Sequence, residues 1–137
     1  MQLNFDTIRK VLLYIERVTR YVESEEQLQP MIVPLSQLVG ENKCGSLAEA
    51  LYIVRKLEEG GYIITNETGL SPVEKLFECQ NSEKPSLCVL DITFQGIEFL
   101  NLIRDDEVWD SYKSNNFIMS FEVIKQFIPK LATNFNI

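Results

Sequence analysis

The sequence predicts an α+β fold of the winged helix-turn-helix kind, mostly helical with a small antiparallel wing sheet. Three observations predict it. Residues 44–64 read as one amphipathic helix that stops sharply at Gly60 and Gly61 and turns into a strand. Two strand-like runs, 62–65 and 87–92, are joined by a long polar excursion, and strongly periodic helices stand on both sides of them. At 137 residues and 45% hydrophobic content the chain fills one core and is short for two. One domain over 1–137 is expected, with a core of about 4–113, a wing insertion at 67–86 and a C-terminal helical extension at 114–137.

Asn4 caps a first helix over 5–21, with Asp6 in its first turn and Ile8, Val11, Leu12, Ile15 and Val18 on one face. Its polar face carries Arg9, Lys10, Arg17 and Arg20 against Asp6 and Glu16. This is the most basic piece of the chain, read first as a solvated face and second as a phosphate site. Residues 23–30 are acidic and polar and predict a loop, and Met31 to Val33 suit a sheet edge. Pro34 opens a short helix over 35–39, Gly40 ends it, and residues 42–45 supply a turn. Ser46 caps the third helix, which sets Leu47, Leu51, Val54 and Leu57 inside and Ser46, Glu49, Tyr52, Ile53 and Lys56 outside.

Beyond the strand 62–65, Asn66 to Gly69 signal a turn. Ser71, Pro72 and Glu74 have the spacing of a capping box and start a short helix over 72–79, with Val73, Leu76 and Phe77 on one side. The strand 87–92 then returns antiparallel to 62–65. Thr93 caps a helix over 94–103 with Ile97, Phe99, Leu100 and Ile103 facing inward, and residues 104–110 continue it or break it and restart. Asn115 and Asn116 mark a turn. Ser120 caps a last helix with Phe121, Ile124, Phe127, Ile128 and Leu131 on one side, which Pro129 should kink or end.

Composition removes much chemistry. No histidine is present, so Ser-His-Asp and Cys-His catalysis, histidine metal ligation and histidine pH switching are excluded. No run approaches the roughly 18 apolar residues of a membrane span, and the N-terminus lacks the apolar stretch of a signal peptide. A cytoplasmic protein in a bacterial host cell, with no membrane partner, is expected. Cys44, Cys79 and Cys88 lack regular spacing and read as reduced, buried thiols without metal. A net charge of −7 and a pI near 4.6 oppose nonspecific attraction to phosphate, so DNA binding requires a local basic patch.

Three blocks carry a resemblance: LNFDTIRKVLLYIE at the start, SLAEALYIVRKLEEGGYII in the middle, and LDITFQGIEFLNLIRDDEVW after the wing. Together they resemble a family of uncharacterised winged-helix proteins common in phages and prophages of Gram-positive bacteria. Arg104-Asp105-Asp106 with Trp109, following Gly96-Ile97-Glu98-Phe99-Leu100, is the most diagnostic feature. The resemblance implies a winged helix and a phage context, covers the chain except 70–84 and the tail after 116, and carries no function onto particular residues.

Two functions of different classes follow. As a DNA-binding transcriptional regulator, the chain would use Lys43, Ser46, Tyr52, Arg55 and Lys56 on and before the third helix. Against this, Glu41, Glu49, Glu58 and Glu59 outnumber the cations of that region, and Glu67, Glu74, Glu78 and Glu83 outnumber Lys75 and Lys84 in the wing. As an acidic phage protein that inhibits a host defence nuclease or the transcription machinery, it would offer carboxylates where DNA would lie. Its surface would be Asp105, Asp106, Glu107, Trp109 and Asp110, with Glu23, Glu25 and Glu26; the plain alternatives are a solubilising surface and a Trp109 packed in its own core. An enzyme is not expected, because adjacent carboxylates at 105–107 diverge on a helix and no phosphate-cradling glycine loop accompanies them; no cofactor is expected either. The first helix and Phe117, Phe121, Phe127 and Phe135 either form a homodimer face or close one core.

Overall fold

The first helix forms where its periodicity places it. In a computed structural model that describes residues 2–19, 22–23, 28–29, 32–75 and 87–132, α1 spans Phe5–Val18 and the Asn4 side chain accepts the Thr7 N–H at 3.2 Å. Ile8, Val11, Leu12 and Ile15 are buried, which satisfies the predicted stripe. The helix stops at Val18 rather than at 21: Thr19 takes the C-cap position, and its N–H and hydroxyl both donate to the Ile15 carbonyl. Arg20 and Tyr21 lie outside the described residues.

The acidic stretch expected to be a loop contains a two-residue hairpin, β1 (Val22–Glu23) with β2 (Leu28–Gln29), in the register Val22↔Gln29 and Glu23↔Leu28. Strand β3 (Val33–Pro34) follows, and then a 3-10 helix, Leu35–Leu38, in place of the α-helix expected over 35–39. The segment is too short to close successive α turns. Val39 leaves it in extended conformation to bridge Cys44, and Gly40 turns the chain with φ +142°.

Helix α2 (Leu47–Glu59) begins at Ser46, whose hydroxyl accepts the Glu49 N–H while the Glu49 carboxylate accepts from the Gly45 N–H, a capping-box arrangement shifted by one residue. Its exit is a Schellman motif: Gly61, at φ +79°, donates to the Glu58 carbonyl and Tyr62 to the Leu57 carbonyl. The inner face differs from expectation. Ala50, Ile53, Val54 and Leu57 are buried, Leu51 is half-buried and Leu47 is exposed, so Ile53 belongs to the core rather than to the outer surface.

The exit leads into β4 (Ile63–Thr65), which pairs antiparallel with β5 (Cys88–Ile92) through Ile63↔Ile92 and Ile64↔Asp91, with a bulge before Thr65↔Val89. Strand β3 pairs on the other side of β5, Val33↔Val89, so the three-stranded antiparallel sheet runs β3-β5-β4. Residues 72–75 are helical, with Ser71 capping the Glu74 N–H; the rest of the helix expected to 79 lies outside the described residues, as do Glu25, Glu26, Met31, Cys79, Lys84 and Phe135.

Helix α3 (Phe94–Ile103) is capped by Thr93, which accepts the Gly96 N–H. The Thr93 hydroxyl also donates to the Gly61 carbonyl at 2.6 Å, tying the start of α3 to the exit of α2. The approach is close enough that a Cβ on Gly96 would sit 2.1 Å from the Tyr62 carbonyl oxygen, which only glycine permits. The chain then breaks at Arg104 and restarts as α4 (Asp106–Ser114), because Asp105 accepts the Val108 N–H as a new N-cap. Ser120 caps α5 (Phe121–Ala132) by accepting the Val123 N–H. Pro129 does not end the helix, for it stands exposed in the last turn and the helix runs to Ala132.

Layering follows from these junctions. α1 packs on α3 and β5, α2 on the 3-10 helix and β4, and α5 on α3 and α4. Phe121 lies among Phe5, Tyr62 and Phe99, with ring centroids within 5.0 Å, and Phe117 stacks between Tyr112 and Phe127. Phe117, Phe121 and Phe127, considered for a dimer face, are thus packed within one core. No helix among the described residues is long and apolar enough to cross a membrane.

Candidate functional site

The residues on and before α2 come first, because helical spacing should bring them onto one outward face. Lys43 donates to the Gln37 carbonyl at 2.8 Å and lies 4.0 Å over the Tyr14 ring. Ser46 is exposed, its hydroxyl engaged as the cap. Arg55 pairs with Glu67 at 3.1 Å, and the Glu67 carboxylate is 5% exposed. A carboxylate so buried requires its cation, so Arg55 is held to the turn after β4 rather than offered outward. Lys56 pairs with Glu59 at 3.1 Å and lies over the Tyr52 ring, and Tyr52 itself lines a cleft with Leu3, Met119 and Phe121. Lys75 reaches Glu58 at 2.8 Å, so a second ion pair fastens residues 66–75 against α2. The structure therefore does not bring Lys43, Ser46, Tyr52, Arg55 and Lys56 together as one free cationic surface.

The acidic candidates are placed by the fold in a different role. Asp105 is the N-cap of α4. Asp106, 84% exposed, pairs with Arg9, whose guanidinium also donates from Nε to the Ile103 carbonyl at 2.6 Å and from Nη2 to the Arg104 carbonyl at 2.8 Å. Arg9 thereby satisfies carbonyls left over at the end of α3. Arg104 forks onto Glu16 at 2.7 and 2.6 Å. Trp109 is 2% exposed and donates its indole N–H to Asp6 at 2.9 Å, while Lys113 reaches the same carboxylate at 3.0 Å and Asp110 at 3.7 Å. Burial alone would raise the Asp6 pKa, but the hydrogen bonds from Trp109 and Lys113 and the charges of Lys113 and Lys10 hold it below its usual value. Glu107 and Asp110 remain exposed carboxylates. Among the described residues, no group of three or more Asp, Glu, Cys or His is arranged to hold a metal ion.

A third grouping appears only in three dimensions. Lys10, Leu13, Tyr14 and Arg17, at i, i+3, i+4 and i+7 on α1, face the turn Glu41, Asn42 and Lys43 across an open cleft of about 490 Å³. The Arg17 guanidinium lies 5.3 Å from the Tyr14 ring centroid and the Lys43 ammonium 4.0 Å. Lys10 and Arg17 belong to the basic face read from the sequence, but Tyr14 and the meeting with Lys43 do not follow from it. The spacing of Lys10, Tyr14 and Arg17 is the one signal that could have found them.

The two described thiols, Cys44 and Cys88, take no part in any of these groupings. Cys44 is buried beneath the turn before α2, and burial, with the Glu49 charge, pushes its pKa up to about 11; burial also raises that of the half-buried Cys88.

No curated protein and no solved structure matches the chain. Residues 2–117 match the family described as hypothetical protein (DUF2513), and the chain belongs to that family.

Proposed function

We propose that this chain is a winged-helix binding module of phage type that acts as a DNA-binding regulator. The fold that supports the reading is α1, β3, the 3-10 helix, α2, and the pair β4 and β5 in a sheet of order β3-β5-β4, with α2 as the helix presented to a groove. The observation that carries it is the basic cleft between α1 and the turn into α2, because a chain of charge −7 needs such a local patch to approach phosphate.

The competing reading, an acidic inhibitor of a host protein, rests on Asp105, Asp106, Glu107, Trp109 and Asp110. Asp105, Asp106 and Trp109 are each engaged by the protein itself, which leaves Glu107 and Asp110 of that group; the side chains of Glu23, Glu25 and Glu26, the rest of the surface in that reading, lie outside the described residues.

Enrichment from a pool of randomised duplexes tests the proposal. A shared sequence element should emerge at low salt, bound in the range of about 10⁻⁸ to 10⁻¹¹ M expected of specific sites at physiological salt. Failure to retain any duplex at about 50 mM salt, where phosphate contacts are strong, overturns it.

A further inference from the structure

We propose that Lys10, Tyr14, Arg17 and Lys43 form the phosphate-backbone grip of this protein, set beside α2 rather than on its outward face. The inference rests on the DNA-binding reading and deepens it by naming the residues that meet the backbone.

Charge accounting and clustering together point to the cleft: Lys125 forms no ion pair among the described residues, but it lies over the Tyr62 ring in a cleft lined by no second cation among the described residues. Among the described residues, Arg9, Arg55, Lys56, Lys75, Arg104 and Lys113 each have a carboxylate within 4.0 Å, so a phosphate would have to displace an internal partner to reach them. Lys10, Arg17 and Lys43 form no ion pair among the described residues, and the cleft they line contains one carboxylate, Glu41. Tyr14 explains how two of them stay in place. An aromatic ring attracts a cation through its quadrupole and leaves the positive charge intact, whereas a carboxylate would cancel it. The ring therefore orders Arg17 and Lys43 while keeping them available to an anion.

Position supports the same conclusion. Lys43 precedes the α2 cap, Ser46, by three residues, a reach of about 10 Å at most. A duplex lying against the start of α2 would thus bring its backbone over the cleft. The ligand is a phosphodiester chain, and the acidic remainder of the protein would orient it there by repulsion elsewhere.

The test is the salt dependence of binding to a short duplex of randomised sequence, measured for the whole chain. Lys10→Gln with Arg17→Gln removes two cations at exposed positions of α1, and Lys125→Gln with Lys130→Gln removes the same charge from α5. Loss of two phosphate contacts should lower the log–log slope by about 1.8, so that between about 50 and 200 mM salt the first variant loses about twelvefold less affinity than the unaltered protein. The α5 variant should keep the original slope. An unchanged slope for the α1 variant, or an equal fall for the α5 variant, overturns the grip and leaves the DNA reading standing. If the unaltered protein binds no duplex even at the lower salt, the DNA reading falls and the grip falls with it.

Discussion

Arg9 offers the sharpest test of how the chain is held together, since the sequence presents it as a surface cation and the structure makes it a capping group. Arg9→Ala removes two charge-assisted hydrogen bonds to the carbonyls of Ile103 and Arg104, together with the ion pair to Asp106. Hydrogen bonds to charged groups contribute about 1.5–3 kcal/mol each, and water entering the space left by the side chain recovers part of that. The ion pair adds at most about 1 kcal/mol, because Asp106 is largely solvated. A loss of about 2–4 kcal/mol is therefore expected in urea melts at neutral pH with an unchanged m value, or a fall in Tm of roughly 7–14 °C for a chain of this length. Arg9→Lys should recover less than half of it, since one ammonium cannot fork across two carbonyls. A loss under about 0.5 kcal/mol for the alanine variant would mean that Arg9 is an ordinary surface cation and that the α3–α4 corner is held by other contacts.

Ile53→Ala should cost about 2–5 kcal/mol in denaturant melts, whereas Leu47→Ala should stay within about 0.5 kcal/mol; the reverse order would restore the face read from the sequence, while Leu57→Ala, inside on either face, should cost as much as Ile53→Ala. Gly96→Ala should lose about 3 kcal/mol, the upper end for overpacking, because its methyl meets the Tyr62 backbone. Gly45→Ala, which meets nothing within 4 Å, is the neutral control, and equal stability of the two variants would refute the close approach. Cys44 should resist a thiol reagent in the native protein at pH 8 and react once urea exposes it, as read by mass mapping; native labelling at the unfolded rate would contradict its burial and raised pKa. The Asp6 pKa is lowered on folding, so its carboxylate stabilises the protein above its unfolded pKa of about 3.9 and ceases to do so as pH falls through the lower folded value. The stability gap between the unaltered protein and Asp6→Asn should thus shrink from pH 7 to pH 3, and an equal gap at both would show that charge plays no part.

Local signals were legible because their physics is local. Asn4, Ser46, Thr93 and Ser120 each cap a backbone N–H three residues on, a contact that the sequence itself encloses. The phase of α2 was not legible. Leu47 and Leu51 fit the helical spacing of Val54 and Leu57 as well as Ala50 and Ile53 do, and only the packing of the 3-10 helix and β4 on α2 decides which pair joins them inside. The β1–β2 hairpin escaped for another reason: two residues per strand are too few for an alternating pattern.

The blocks by which the chain resembles its family explain what such a motif encodes. Asp6, Arg9 and Glu16 of the first block bind Trp109, the Ile103–Asp106 corner and Arg104 of the third, at sequence separations of 88 to 103 residues. Gly61 and Tyr62 of the middle block meet Thr93 and Gly96 of the third. Every one of these contacts serves the docking of α1, α2, α3 and α4 on each other, so the residues most useful for identifying the family carry the fold and leave its partner unspecified. On α1 the two kinds of residue are neighbours on one helix surface. Arg9 and Glu16 turn toward the α3–α4 corner, while Lys10, Tyr14 and Arg17 turn toward the cleft before α2. Substitutions on the first stripe should therefore register in stability, and those on the second in binding. Reading both properties on the same variants separates them, because an α1 in which Lys10 and Arg17 were only solvating residues would show neither loss.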